Sequence, residues 1–370
     1  MAIAIVPYTE DRIAAVQAFN QRLAAGGVAP EFHFPDNNIP RWLPHVDGRR
    51  IYQQFYLAVE KDAVRGAYIL KVQDFWLRGE RKRLVFYHLP VSEGIVNKSY
   101  SSVGVHMLRS AAKAEPALFC LGMGGFDRPL PRMLKAMGWG MSSVPFYFRV
   151  HHPQRFLRNL ASLRQSAGRR FLARAAASTG IGPLGIKTVQ WIRSRAVDQG
   201  EIAELVGNFG TWADDLWGKC NRHYALIAAR DSATLNILYP EGKSFLCLQV
   251  RRGTDIVGWA VLLDTQMRGN KYFGDMRLGS IVDCLALPEN APAVVKKATR
   301  FLHDRGVDLV VSNHSHTGWC VAFEANGFLR GPSNFIFAAS KPVLEWLAPF
   351  EANQNQIYFT RGDGDGPVNL

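Results

Sequence analysis

Hydrophobic residues in this chain fall into short runs separated by turn residues, and the runs recur. Tyr56–Val59 and then Arg65–Leu70 predict two strands about a tight turn. Leu246–Val250 and Val257–Leu262 predict the same pair about 190 residues later. A third strand follows in each case, over Arg83–Leu89 and Gly279–Leu287. Each is succeeded by a helical pattern, Ser101–Ala114 and Pro292–Asp304, and then a short apolar strand, Ala117–Leu121 and Val307–Val311. Helices ending at Gly138-Trp139 and Gly327-Phe328 lead into the strands Val144–Phe148 and Asn334–Phe337. Ile3–Tyr8 reads as a first strand. Ile13, Val16, Phe19 and Leu23 then line one face of a helix. In the second half, Thr188–Ile192 reads as a strand, Ala203–Leu216 as helical, and a helix is expected around Leu226.

The pattern divides the chain into a first domain over 1–150, a basic linker over 151–186, a second domain over 187–350 and a C-terminal extension over 351–370. The extension contains Thr360-Arg361-Gly362-Asp363-Gly364-Asp365-Gly366, polar and glycine-rich, and is expected to be partly flexible. Each half is long enough to bury its own core.

Charge changes the picture more than composition does. A formal net charge of +13 predicts attraction to anions: phosphorylated cofactors, nucleotide sugars, acidic lipid surfaces or nucleic acid. Residues 151–197 carry nine Lys or Arg and no Asp or Glu, which suits a solvated helix or an anionic membrane surface. No nucleic-acid-binding module is visible. The five cysteines are scattered and odd in number, as expected of reduced thiols in the cytoplasm, and their spacing with histidine suggests no metal. No apolar run reaches the length of a spanning helix. A cytoplasmic protein able to touch the inner membrane is the expectation.

Strand, helix, three antiparallel strands, helix, strand, helix, strand, written twice, resembles the Gcn5-related N-acetyltransferase (GNAT) fold in tandem. Fem-type aminoacyl transferases are distantly similar. The passage Val307–Phe328, with Asn313 after a strand and Phe323-Glu324-Ala325-Asn326-Gly327-Phe328 closing a helix, is the most family-like. Arg230-Asp231…Leu235-Asn236…Tyr239 resembles a segment of acyltransferases found near bacterial surface-polysaccharide genes. The resemblance implies an α/β (α+β) architecture of two GNAT-like domains, each a splayed mixed sheet flanked by helices. It also implies acyl-CoA as the donor. Its pantetheine arm would pair with a strand edge and its pyrophosphate would meet a helix N-terminus. On this chain the implied cofactor-binding positions are Ala286, Leu287, Ala291 and Asn313 in the second half, and Lys98, Ser99, Ser102 and Gly104 in the first. Gly104 is the one glycine in the first half's phosphate loop, and the second half's loop, Pro288–Val294, has none.

Acylation needs a group that takes a proton from the acceptor. Asp283, an acid in an apolar strand, is the candidate base, with His314 or His316 assisting. An Asp facing solvent on the strand's other side is the competing reading, and His88 is its counterpart in the first half. Gly122-Met123-Gly124-Gly125 suits either a phosphate loop or a turn needing positive φ. The function expected is transfer of an acyl group to an amine or hydroxyl of a cell-envelope or polysaccharide precursor. A non-catalytic tandem scaffold and a Fem-type transferase, for which tRNA would be the donor, remain open.

Overall fold

Hydrophobic alternation resolves into two sheets with one strand order in the computed structural model, which describes residues 3–37, 39–40, 42–159, 181–270 and 272–364. The first sheet runs β1 (Ala4–Pro7), β2 (Tyr52–Glu60), β3 (Ala63–Leu77), β4 (Glu80–Ser92) and β5 (Leu118–Met123). It then takes in a strand from far down the chain, Phe335–Ala339, before ending on β6 (Gly140–Ser143). The second sheet takes in β7 (Phe146–Val150) from the first half of the sequence. It runs β8 (Ile202–Val206), β10 (Leu246–Arg252), β11 (Asp255–Gln266), β12 (Arg277–Ala286), β13 (Leu309–Asn313), β7 and β14 (Leu329–Gly331). Phe335–Ala339 is β15; β9 (Leu226–Ala228) pairs in parallel with β16 (Ile357–Tyr358).

The last long strand of each half is therefore built into the sheet of the other half. The compact units follow this exchange: Met1–Ser142 with Ile336–Gln354, and Ser143–Phe335 with Asn355–Leu370. They differ from the contiguous domains 1–150 and 187–350, because strand pairing joins segments by hydrogen bonding and not by proximity in sequence. The expected basic linker is no separate piece where it is described. Its ends form the helices Pro153–Asn159 and Ile181–Arg193 of the second unit, and the rest of it, 160–180, lies outside the described residues.

Four local expectations are corrected. Thr188–Ile192 is helical, since Ile186 and Gln190 turn inward one helical turn apart. Ala203–Leu216 splits into β8 and a helix over Thr211–Cys220, and Leu226 lies in a strand. Thr360–Gly364 is ordered: Arg361–Asp363 is a 3-10 turn closed by a capping box between Thr360 and Asp363. The remainder of the tail, 365–370, lies outside the described residues.

Repeat equivalence is visible in two glycines. A Cβ on Gly66 would meet Met107 Sδ at 2.7 Å and Val103 Cγ1 at 3.0 Å, where the helix Val103–Ala114 crosses β3. A Cβ on Gly258 would meet Val294 Cγ2 at 2.3 Å, where the helix Ala291–Asp304 crosses β11. In the first unit that helix buries Met107, Leu108 and Ala111 against Tyr68, Leu70 and Tyr87, while Val16, Phe19 and Leu23 cover the other face. In the second unit Val150, Met276, Leu278, Leu309 and Val311 form a core with Ile186 packed against it. No helix among the described residues is long and apolar enough to cross a membrane.

Candidate active site

Both sheets open at the same place. Strands one to four pair antiparallel, the fourth and fifth pair in parallel, and that parallel pairing is short. In the second unit it stops at Ile281–Ser312 while β12 runs on to Ala286. In the first it covers Val85–Leu118 and Phe86–Phe119 while β4 runs on to Ser92. Beyond those points the fourth strand offers backbone groups to whatever enters the gap.

In the second unit the chain itself enters. Tyr358 donates its hydroxyl to the carbonyl of Cys284, and Tyr224 reaches the carbonyl of Ala286 at 3.5 Å. Trp319 Nε1 donates to the Tyr224 hydroxyl at 3.0 Å. Burial, then the neighbouring Cys284 and Asp283, push the Tyr358 phenol well up, so it stays a donor. The cofactor positions expected here fit this filling: Ala286 and Ala291 are buried and Leu287 is half-buried. Asn313 is engaged twice, donating to the Pro145 carbonyl at 3.2 Å and accepting from Arg361 Nε at 3.1 Å.

Asp283 lies at 2 % exposure inside this filling, so it does not face solvent. Its Oδ1 accepts from Arg230 Nε at 3.1 Å, from Thr360 Oγ1 at 3.2 Å and from its neighbour's backbone at Cys284; Oδ2 accepts from Tyr239 at 3.0 Å. Arg230 also reaches Asp363, and its guanidinium lies 4.8 Å from the Tyr358 ring centroid. Burial raises the Asp283 carboxyl from its usual 3.8 to about 6, with Arg230 opposing and Asp363 adding to the rise. The helix Ser232–Leu238 explains how two distant side chains converge: Arg230 precedes its N-cap Asp231, and Tyr239 is its C-cap.

His314 and His316 lie beside this cluster. His314 is fully buried among Trp319, Phe323 and Tyr358, its Nε2 3.8 Å from Cys284 Sγ. Burial, then Arg230 and His316, lower it from 6.5 to about 3, so the ring is neutral. His316 is the N-cap of the helix Thr317–Ala325, accepting from Gly318 N at 3.1 Å, and burial lowers it to about 4. The three expected catalytic side chains are thus neighbours in one buried region. Arg230, Asp363, Tyr224 and Tyr358 complete it. Of these, the sequence marks only the Arg230…Tyr239 segment; the signal for the rest is an acid in an apolar strand, which needs a cation from elsewhere in the chain when it is buried.

The first unit's gap is built differently. The carbonyl of Tyr87 meets the thiol of Cys120 at 3.4 Å, and β4 bends at Leu89, whose φ is +45°. His88 is half-buried and stacks on Phe86 at 5.0 Å. His88 pairs with Ile69 and Asp283 pairs with Val261, each partner three residues after the repeat glycine, so the two occupy equivalent positions. The loop after β4 is braced by Glu93, which Arg22 and Arg65 both engage at 3.1 Å. It delivers Lys98, Ser99 and Ser102 to the surface at the start of the helix Val103–Ala114. That helix has no acidic residue in its first turn, its N-cap Ser102 makes no side-chain cap, and a Cβ on Gly104 would meet nothing within 4 Å. By chemistry and space these residues fit a phosphate. In the second unit the equivalent start carries Glu289 and Pro292 instead. The glycine-rich loop is a turn: Gly122, Met123, Gly124 and Gly125 all have positive φ.

A mixed sheet opened between its fourth and fifth strands, with a helix starting at the opening, is the GNAT fold, and this chain contains it twice. Solved structures agree. A protein from Enterococcus faecalis V583 described as a probable N-acyltransferase matches 94% of this chain and 75% of its own, at TM-score 0.53 and 10% identity. Saccharomyces cerevisiae N-myristoyltransferase with bound myristoyl-CoA matches 91% and 82%, at TM-score 0.52 and 9% identity. A GCN5-related N-acetyltransferase from Anabaena variabilis matches 91% and 72%, at TM-score 0.51 and 9% identity. No protein-family model matches the chain, and no curated protein matches it in sequence.

Proposed function

We propose that this protein is an N- or O-acyltransferase that takes its acyl group from an acyl-CoA held in the first unit. The observation that carries this reading is the contrast between the two gaps. In the second unit, Tyr358 and Tyr224 take the strand carbonyls that a donor's amide arm would need. In the first unit, the gap meets a helix start that carries Lys98, Ser99, Ser102 and Gly104, with Glu93 already neutralised by two arginines. The named myristoyl-CoA complex of similar fold supports the donor class. When bound, acyl-CoA supplies an acyl carbon activated as a thioester. Lys98 and the helix N–H groups hold its phosphates; His88 takes the proton from the acceptor's amine or hydroxyl as that atom bonds the thioester carbon, and returns it to the CoA thiolate released when the carbon–sulfur bond breaks. Asp283 in this reading holds Arg230 and the C-terminal segment in place. The resemblance around Arg230–Tyr239 favours an acceptor from cell-envelope or polysaccharide synthesis.

Thermal-shift titration with acetyl-CoA and longer acyl-CoAs tests the donor. A ligand at about one hundred times its Kd adds about 2.7 kcal/mol to stability, a readily measured shift. Lys98→Glu should remove the shift. His88→Ala should keep it and abolish acyl transfer to an amine panel. No shift with any CoA would reject the reading in favour of a binding protein, which the filled second gap would then suit.

A further inference from the structure

The second unit holds a cavity of about 710 Å3 that shares no residue with the buried cluster around Asp283. It lies between the helices Ile181–Arg193 and Ala291–Asp304, floored by Arg149, Val150 and His151 where β7 ends. Its lining is strongly cationic: Arg149, Lys187, Lys296, Lys297 and Arg300 face one carboxylate, Asp198. Asp198 is occupied by Lys297 at 2.9 Å and Lys296 at 3.7 Å, and Arg300 pairs with Asp304 outside the lining. Arg149 and Lys187 have no carboxylate partner among the described residues.

The lining also contains unfinished hydrogen bonding. Arg149 Nε, His151 Nε2 and Thr299 Oγ1 are buried without a partner, a rare state for polar atoms in a folded chain. Arg149 is anchored by donating Nη1 to the Asn326 carbonyl, so its guanidinium is held in place beside the cavity. Burial, then Arg149 and His303, lower His151 to about 3, which leaves a neutral ring able to donate or accept. Trp191 lines the same cavity while 78% exposed, and Leu184 and Ile192 on its helix are 67% and 57% exposed. Apolar groups this exposed beside a polar cavity mark a binding surface.

We propose that this cleft binds a ligand carrying two or more phosphate charges joined to an aromatic or aliphatic group, with the phosphates among Arg149, Lys187 and Arg300 and the apolar part against Trp191. The inference is independent of acyl transfer, since none of these residues belongs to the proposed donor site. A nucleoside diphosphate and a phospholipid headgroup share this chemistry.

Calorimetry on the full chain with pyrophosphate, with GDP, and with vesicles containing phosphatidic acid separates the sources. GDP is chosen because it shares no base with CoA. The exposed pair Lys187→Glu/Arg300→Glu is the reporter, with its melting temperature checked against wild type. At least one probe should bind, weaken about tenfold or more in this variant, and weaken steeply with salt. GDP binding that exceeds pyrophosphate binding and falls back to it in Trp191→Ala identifies a nucleotide. Vesicle binding lost in the double variant identifies a lipid headgroup. Absence of binding to all three probes, or binding by the double variant equal to wild type, overturns the proposal.

Discussion

Arg230 Nη2 reaches both carboxylate oxygens of Asp363, at 3.0 and 2.9 Å, across 133 residues of sequence. Both side chains are buried, and Asp283 completes the set from β12. Removing Asp363 leaves Arg230 paired with Asp283 but takes an acceptor from Arg230 Nη2 and from the Thr360 backbone N–H, at a cost of about 1–3 kcal/mol. Asp363→Ala should destabilise the protein by about that amount in urea denaturation, and Asp363→Asn by less, because the amide keeps one acceptor. A loss under about 1 kcal/mol would mean that the triad does not hold the C-terminal segment.

Acid should weaken the fold through its buried histidines. Folded His314, His316 and His151 are held at about 3, 4 and 3, chiefly by burial, against an ordinary 6.5. As pH falls below about 6.5 the unfolded chain takes up these protons and the folded chain does not, so stability drops until pH reaches the folded values. Asp283 acts in the opposite sense: raised to about 6, it takes a proton when folded, which favours the fold as pH falls toward its ordinary 3.8. Three histidines outweigh one aspartate. His314→Phe should reduce the stability lost between pH 7 and pH 5 by about 2 kcal/mol, measured as the difference between two denaturation series. Equal losses in both proteins would show that His314 already titrates normally.

The two repeat glycines should not tolerate alanine equally. At Gly66 the nearest obstacle is the Met107 thioether, which can move. At Gly258 the added carbon meets the branched Val294 at 2.3 Å and the backbone oxygen of Leu285 at 2.8 Å. Overpacking of this kind costs about 1–3 kcal/mol, so Gly258→Ala should lie at or above the top of that range and Gly66→Ala near the bottom. Melting temperatures of the two variants decide it, and the reverse order would refute the argument.

Ser340 pins the far end of β15. Its hydroxyl donates to the Pro116 carbonyl at 2.8 Å and accepts from Leu118 N at 3.1 Å. Ser340→Ala leaves both groups short of a partner at a site 4 % exposed, at a cost of about 1–3 kcal/mol. Hydrogen exchange should report it as faster opening along β5 and β15. Unchanged protection there would show that the strand is held by its ladder alone.

Much of this architecture could be read in advance from local signals. The hairpin of β2 and β3 is legible in the apolar runs Tyr56–Val59 and Arg65–Leu70, and its repeat in Leu246–Val250 and Val257–Leu262 shows the duplication. Asp283 was conspicuous as an acid among Ile281, Val282 and Leu285. What local sequence does not carry is non-local. Nothing near Thr360–Asp363 says that a glycine-rich tail will find a buried arginine. The alternation of β7 and β15 predicts strands but carries no information about which sheet they join. Val189, Trp191 and Ile192 favour strands by residue type, but the helical spacing of Ile186 and Gln190 prevailed.

The position of β15 in the first sheet bears on synthesis. A ribosome releases Met1–Ser142 long before Phe335–Ala339, so the edges of β5 and β6 wait, unpaired, until most of the polypeptide has emerged. Expressing either half by itself would yield a sheet missing one inner rung, which is why this pair of folds must mature together.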